Sequence, residues 1–338
     1  MQGTRSRRAG GGVAWDRRRA AAITAGMRIL VTGSSGWLGA ALVPRLEQGG
    51  HTVIGLDPRP AATTAIVGSI ADRAVVRAVI GDHRIDAVAH GGALHKPNIE
   101  THDRADFLGV NVQGTMNLLE EAVAQGVTRF VFTSTTSLMV SRAIRAASAP
   151  EAVWLDEDFA AQPRNIYGVT KLAAEHLCRL YHEQFGLPVV VLRTARFFPE
   201  TDDMAHDIAQ SGPNTKANEF LFRRLTRDDA VAAHVAALEK APELGFDVFI
   251  VSATPPFAPA DRRELMTNAP SVVARYFPDY PALYAARGWT MFDRIDRVYD
   301  PSRAAARLGF VCRTGFRQVL DELARGGTPD YLKTRTWP

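Results

Sequence analysis

The sequence predicts an α/β protein, a doubly wound parallel sheet carrying a smaller C-terminal lobe. Three observations predict it. From Met27 onward, short β-branched runs alternate with helical stretches, the pattern of parallel strands joined by right-handed crossovers. Runs such as Val189-Val-Val-Leu192 are apolar on both faces, as strands covered on both sides must be. A glycine-rich turn, Gly33-Ser-Ser-Gly36-Trp-Leu-Gly39, separates the first strand from the first helix.

The elements follow in order. Residues 1–26 hold six arginines (Arg5, Arg7, Arg8, Arg17, Arg18, Arg19) and one acid, Asp16, for a net of +5. They show no apolar periodicity and read as a disordered leader, with Met27 as the expected natural start. Strands are expected at 27–32, 52–57, 64–67, 86–89, 129–134 and 189–194, with helices near 37–48, 72–80, 104–125 and 168–185. Residues 196–222 read as irregular and polar, broken by Pro199, Gly212 and Pro213. Thr226 is expected to cap a helix reaching Lys240, with Asp228 and Asp229 in its first turn. Asp247 to Ser252 is a further strand, residues 254–300 are rich in Pro, Tyr and Phe, and helices near 302–308 and 315–325 close the chain. The expected division is a nucleotide-binding domain of 27–195 plus 224–252, a substrate-binding lobe of 196–223 plus 253–330, and a tail of 331–338. The lobe should lie over the carboxyl ends of the strands, where ligands bind in open α/β sheets.

Composition excludes several function classes. With 338 residues, 46% hydrophobic and 22% charged, the chain has the make-up of a soluble globular protein. Its pI near 9.2 comes from the leader. The whole chain carries +4, so residues 27–338 carry −1, and no nucleic-acid partner is expected. No apolar run is long enough to span a membrane. Cys178 and Cys312 are far apart and fit neither a disulfide framework nor a metal spacing, which points to a reducing, cytoplasmic compartment. His90, His95 and His102 lack the helical spacing and accompanying carboxylate of a metal site, so no metal is expected. Asp202, Asp203, His206 and Asp207 read as solvated surface.

The glycine turn is built for a dinucleotide. Gly33 permits the tight turn, Gly36 lets the backbone approach a pyrophosphate, and Gly39 lets the new helix pack close to the sheet. The second strand ends at Asp57, placed to accept hydrogen bonds from a ribose hydroxyl and to repel a 2′-phosphate. NAD is therefore expected over NADP, with Arg59 as the one group that could favour the phosphate.

A second motif, Tyr167-Gly-Val-Thr-Lys171, moves protons. Four residues apart on a helix, Tyr167 and Lys171 share a face. A free tyrosine titrates near ~10, and an adjacent ammonium should lower that value until the phenol serves as a general acid/base. Thr133, Ser134 and Thr135 end a strand beside the same cleft. Thr135 is the expected third catalytic group, orienting the reacting oxygen, with Ser134 at the nicotinamide.

These pieces, in this order, resemble the extended short-chain dehydrogenase/reductase family and, within it, the NAD-dependent epimerase/dehydratase group. The resemblance runs from Met27 to about Asp321 through Val31 to Gly39, Asn111 to Thr115, Phe130 to Thr135, Tyr167 to Lys171, Val191 to Arg193 and Asp229 to His234. It implies a Rossmann sheet and hydride transfer to nicotinamide at a carbon bearing oxygen, with Tyr167, Lys171 and Thr135 as catalytic residues. It implies a cofactor site of Gly33, Ser35, Gly36, Trp37, Leu38, Gly39, Asp57, Ser69, Ile70, His90, Gly91, Gly92, Asn111, Ser134, Tyr167, Lys171 and Arg193. Substrate would meet His95, Thr136, Arg196, Phe197 and Arg224. Homodimers would form through the helices at 104–125 and 168–185. Three departures narrow the reading. Ser69 stands where the family often has an adenine-binding Asp. Thr136-Ser137 stands where dehydratases carry Asp-Glu, which argues against a 4,6-dehydratase. About seven residues around Arg142 to Glu151 are extra, at the substrate mouth. The leading expectation is an NAD-dependent epimerase or oxidoreductase of a sugar or nucleotide sugar. A carbonyl reductase or alcohol dehydrogenase is the second reading. A non-catalytic dinucleotide sensor is the third, opposed by the intact Tyr167, Lys171 and Thr135.

Overall fold

The parallel strands are β1 (Arg28–Thr32), β2 (Thr52–Asp57), β3 (Ile66–Val67), β4 (Ala87–His90), β5 (Arg129–Thr135), β7 (Val189–Thr194) and β8 (Phe246–Val251). They form one seven-stranded sheet of order β3-β2-β1-β4-β5-β7-β8, a doubly wound Rossmann arrangement in which every adjacent pair is parallel. This is a computed structural model and describes residues 26–146, 148–199 and 210–335. The expected leader and the group Asp202, Asp203, His206 and Asp207 lie outside the described residues.

The strands are apolar on both faces because helices cover both. On one face the Gly39–Gln48 helix presents Leu42 and Leu46, one turn apart, and the Arg227–Leu244 helix presents Ala233 and Ala237. On the other face lie Val76, Val79 and Ile80 of the Arg73–Asp82 helix, Leu118 and Ala122 of Gly114–Ala124, and Ala174 and Cys178 of Ile166–Phe185. Side chains fix several helix starts. Asp72 accepts from the N–H groups of Ala74 and Val75, Asn165 from Gly168, and Thr226 from Asp229. The long helix ends at Gly186, in the left-handed region at φ 71°.

Residues 104–124 form one helical run with a π-helical stretch, Leu108–Gln113, in its middle. A π stretch shifts the side-chain register, and here it turns Asn111 into the protein, 2% exposed.

A second apolar core lies apart from the sheet. It joins Phe220, Leu221 and Phe222 to Leu265, Val272, Val273, Tyr284, Val298, Phe316 and Leu320. A small parallel pair, β6 (Val153–Leu155) with β9 (Arg297–Tyr299), borders it. The segment expected to be irregular contains a helix, Gly212–Glu219, capped by Ser211 with Pro213 in its first turn. It escapes hydrophobic periodicity because its buried side chains are polar: Asn214, Thr215, Lys216, Asn218 and Glu219 are all 3% exposed or less.

Candidate active site

A cleft of ≈ 1280 Å³ opens at the carboxyl ends of the strands and reaches β9. One wall is the glycine turn. Gly33 has φ +73°, and a Cβ there would meet the backbone of Gly92 at 2.8 Å. A Cβ on Gly39 would strike the Gly33 carbonyl oxygen at 2.2 Å, so only glycine lets the helix start this close to the turn. A Cβ on Gly36 would touch the protein only at Gly33 O, 3.2 Å away, and this residue lines the cleft. No side chain caps the helix that follows. Its N-terminus therefore faces the cleft as a site for an anion. Asp57 lies at the far end of this wall. Its carboxylate accepts from the N–H of Ser35 (3.2 Å) and of Arg59 (2.9 Å), which pins it at the tip of β2. Asp57 also lines the cleft, with Ser69 and Ile70 beside it. The residues fit a dinucleotide: a bare backbone cradle, a helix N-terminus and one carboxylate in the ribose position.

The opposite wall carries the proton chemistry. Tyr167 and Thr135 both line the cleft, brought together by the ends of β5 and the capped helix start at Asn165. The Thr135 hydroxyl accepts from Ser137 N (3.1 Å) and donates to Ser137 Oγ (3.0 Å). Burial pushes the Tyr167 phenol up to about 12, and its hydrogen bond with Thr135 pulls the other way. Lys171 lies one turn deeper, 3% exposed, its Nζ 3.9 Å from the centre of the Phe132 ring. Burial lowers it to about 7, against the pull of Cys178 and Glu175. The expected depression of the tyrosine by lysine is not found: desolvation dominates the phenol, and Lys171 is not among the groups that act on it. His95 packs its ring 5.8 Å from that of Tyr167 and 5.4 Å from that of Phe198. Burial, then the charge of Lys171, lowers His95 to about 4, so it faces the cleft as a neutral imidazole.

Of the other expected residues, Trp37, Leu38, Gly91, Gly92, Ser134, Thr136, Arg196 and Phe197 line the cleft. Trp37 donates from Nε1 to Phe197 O (3.1 Å), tying the glycine turn to the segment after β7. Ser134 turns its hydroxyl away from the cleft, to Glu175 Oε1 (2.5 Å).

Lys171 and five further side chains stand behind the cleft instead of lining it. Ser35 contributes its backbone N–H to Asp57. His90 is 1% exposed. Its Nδ1 meets Thr32 Oγ1 at 2.7 Å and its Nε2 meets Thr115 Oγ1 at 2.9 Å. Thr115 already donates to Asn111 O (2.7 Å), so Nε2 is the protonated nitrogen, and burial holds this imidazole neutral. Asn111 clamps the loop after β4, accepting from Leu94 N (2.8 Å) and donating to Leu94 O (3.0 Å) and Thr170 Oγ1 (3.0 Å). Arg193 pairs with Glu175 (Nη2 to Oε2, 2.8 Å) and donates to Glu157 O (2.9 Å). Arg224 is 1% exposed and spends its guanidinium on Glu219 (2.7 Å) and Phe198 O (2.7 Å). Its neighbour Arg223 is the one at the cleft.

Sequence reasoning placed Thr133 beside the cleft but missed its partner there, His234, and it missed most of the arginines around the opening. Thr133 donates to His234 Nε2 (2.7 Å), while His234 Nδ1 donates to Ala230 O (2.7 Å), and both side chains line the cleft between its two walls. Arg145, Arg164, Arg297 and Tyr299 line the rim, the last two from β9. No local pattern marks β9 as a cleft strand. Among the described residues no three His, Cys, Asp or Glu side chains cluster as a metal site, and no helix is long and apolar enough to cross a membrane.

The chain is similar to a UDP-glucose 4-epimerase of Azospirillum brasilense, 30% identical over 49% of this chain and 48% of that protein. A UDP-glucose 4-epimerase of Erwinia amylovora is 31% identical over 58% of this chain and 60% of that one. The chain thus spans about half the length of the curated relatives it matches. A short-chain dehydrogenase/reductase superfamily protein from Agrobacterium tumefaciens, solved with bound NAD, superposes with a TM-score of 0.61 at 27% identity over 88% of this chain and 96% of that one. The Thermus thermophilus UDP-glucose 4-epimerase has the same fold, with a TM-score of 0.60 at 22% identity over 88% of this chain and 99% of that one. The NAD dependent epimerase/dehydratase family matches residues 29–249, most of the chain, and this protein belongs to that family.

Proposed function

We propose that this protein is an NAD-dependent epimerase or oxidoreductase that acts on a sugar carbon of a nucleotide sugar. One observation carries the reading. Tyr167 and Thr135 face, across a single cleft, a glycine turn and a pinned Asp57. The family and the UDP-glucose 4-epimerase relatives support the substrate class.

Gly33, Gly36 and Gly39 hold the pyrophosphate of NAD, and Asp57 holds its adenosine ribose. Asp57 has both oxygens anchored by backbone N–H groups, so a 2′-phosphate beside it would meet a fixed negative charge. When bound, NAD supplies the acceptor and donor of hydride. The chain supplies the proton chemistry. Thr135 holds the substrate oxygen near Tyr167, whose hydroxyl takes and returns the proton. Lys171, buried one turn below, would favour the phenolate only while it carries its proton. His95 closes the site beside Tyr167 as a neutral wall.

We further propose the division expected from the sequence, 27–195 plus 224–252 for the nucleotide and 196–223 plus 253–330 for the substrate. Dimerisation is proposed through the helices at 104–124 and Ile166–Phe185, which leave Leu108, Val169 and Leu180 exposed. The thiols of Cys178 and Cys312 are free, as a cytoplasmic protein requires.

The test is to purify the protein, denature it, identify the released nucleotide, and assay UDP-glucose and UDP-galactose for interconversion. NAD and an epimerised product are expected. Released NADP, or turnover confined to simple alcohols and aldehydes, would replace this reading with a reductase.

A further inference from the structure

The cleft next to Tyr167 is lined by several arginines. Arg164 lies three residues before Tyr167, in the turn that enters the Ile166–Phe185 helix. Its side chain is exposed and lines the cleft. Among the described residues it makes no ion pair with a carboxylate. Burial, then the charges of Arg145, Arg297 and Arg142, lowers its affinity for a proton, against the opposing effect of Tyr299. Arg297 reaches the same rim from β9, 6% exposed and paired with Asp296. Guanidinium groups from three separate segments therefore converge where the reacting end of a substrate must lie. Arg297 already has its anion in Asp296, so the charge that a ligand would meet here is that of Arg164.

We propose that the sugar turned over beside Tyr167 is a sugar acid, and that its carboxylate is bound by Arg164 with Arg297 behind it. This rests on the nucleotide-sugar reading above. Two features favour a carboxylate on the sugar over the diphosphate. Arg164 is tied by chain connectivity to the proton-transfer residue, so it meets the sugar end of the substrate. Two other arginines line the cleft from the segments joined by the Arg196–Arg224 bridge, away from the Tyr167 turn in the chain: Arg196, and Arg223, which is paired with Glu219 (2.7 Å). A guanidinium fork matches a carboxylate in two parallel hydrogen bonds, which a lysine cannot reproduce.

The experiment compares UDP-glucuronate, UDP-glucose and free glucuronate as substrates for the wild type, Arg164→Gln and Arg164→Lys, with melting temperatures as the control for folding. The wild type should prefer UDP-glucuronate to UDP-glucose in kcat/KM. Arg164→Gln should cut that preference by about 10- to 100-fold, the worth of a charged hydrogen-bonded pair, and Arg164→Lys should restore part of it. A wild type that prefers UDP-glucose overturns the proposal. So does an equal loss on both UDP-sugars in Arg164→Gln, which would place Arg164 on the diphosphate. Turnover of free glucuronate alone, sensitive to Arg164→Gln, would retain the sugar acid and remove the nucleotide. Failure of both acids as substrates overturns the inference whatever the neutral sugar does.

Discussion

Tyr167, Thr135 and Asp57 line the cleft that their motifs led one to expect, with Lys171 buried behind it. Tyr167→Phe should lower turnover by about 10²- to 10⁴-fold, the usual share of a general acid/base, with NAD affinity nearly unchanged in a fluorescence titration. Retained turnover would remove the phenol from the mechanism. The sequence reading went astray where it had to say which way a strand-end residue faces. Arg193 pairs in register with Ser134, and both side chains go to Glu175 behind the cleft, while Thr133 and Thr135 face it. His90, on β4, likewise points inward. These are one-residue choices of face, and an isolated strand end does not declare them. Arg193 and Glu175 are 9% and 6% exposed. Arg193→Ala should therefore cost about 3–5 kcal/mol in urea unfolding, because it strands a buried carboxylate. Glu175→Gln should cost less, since it keeps a partner for Ser134. A loss below about 1 kcal/mol for Arg193→Ala would mean the pair behaves as a surface one.

Among elements, the glycine turn and the long capped helices were readable from caps and periodicity, and they fall within a few residues of expectation. The Gly212–Glu219 helix was not, because its burial is polar and leaves no apolar stripe. The β6–β9 pair was not, because its partners are far apart in the chain and each is only three residues long. The turn itself makes a sharp prediction. Gly39→Ala puts a methyl group 2.2 Å from the Gly33 oxygen, so the helix must move off the turn. Backbone and overpacking shifts of this kind cost about 1–3 kcal/mol. The variant should lose NAD binding by about 2- to 13-fold if half of that falls on the bound state. Calorimetric titration checks it, and an unchanged affinity would mean that the turn does not shape the pyrophosphate site.

At the scale of the whole molecule, two buried imidazoles, His90 and His234, and a half-buried one, His95, set a pH response. His95 and His234 are lowered to about 4, chiefly by burial, and His90 is held well below its ordinary value for the same reason. Between the unfolded value near 6.5 and the folded value near 4, the unfolded chain binds the protons and the native chain does not. Stability therefore falls as pH drops through that window, by about 1.4 kcal/mol per pH unit for each such histidine. Melting temperatures measured from pH 7 to pH 5 should decline steeply, and His234→Gln should flatten the decline. A flat wild-type profile would show that these rings are solvated. Charge also divides along the chain: residues 1–26 carry +5 and residues 27–338 carry −1, which composition alone disclosed.

The second core has a consequence for how such an enzyme changes over time. Its residues come from Ala152, from Ala217 to Phe222 and from Ala253 onward, so the chain enters and leaves it more than once between strands of the sheet. No single crossover could hand it to a relative as a cassette without also cutting β7, the Arg227–Leu244 helix and β8 out of the sheet. New substrates must then be reached by stepwise replacement at the cleft rim, and Arg164, exposed and free of structural duties, is the cheapest place for such a lineage to begin.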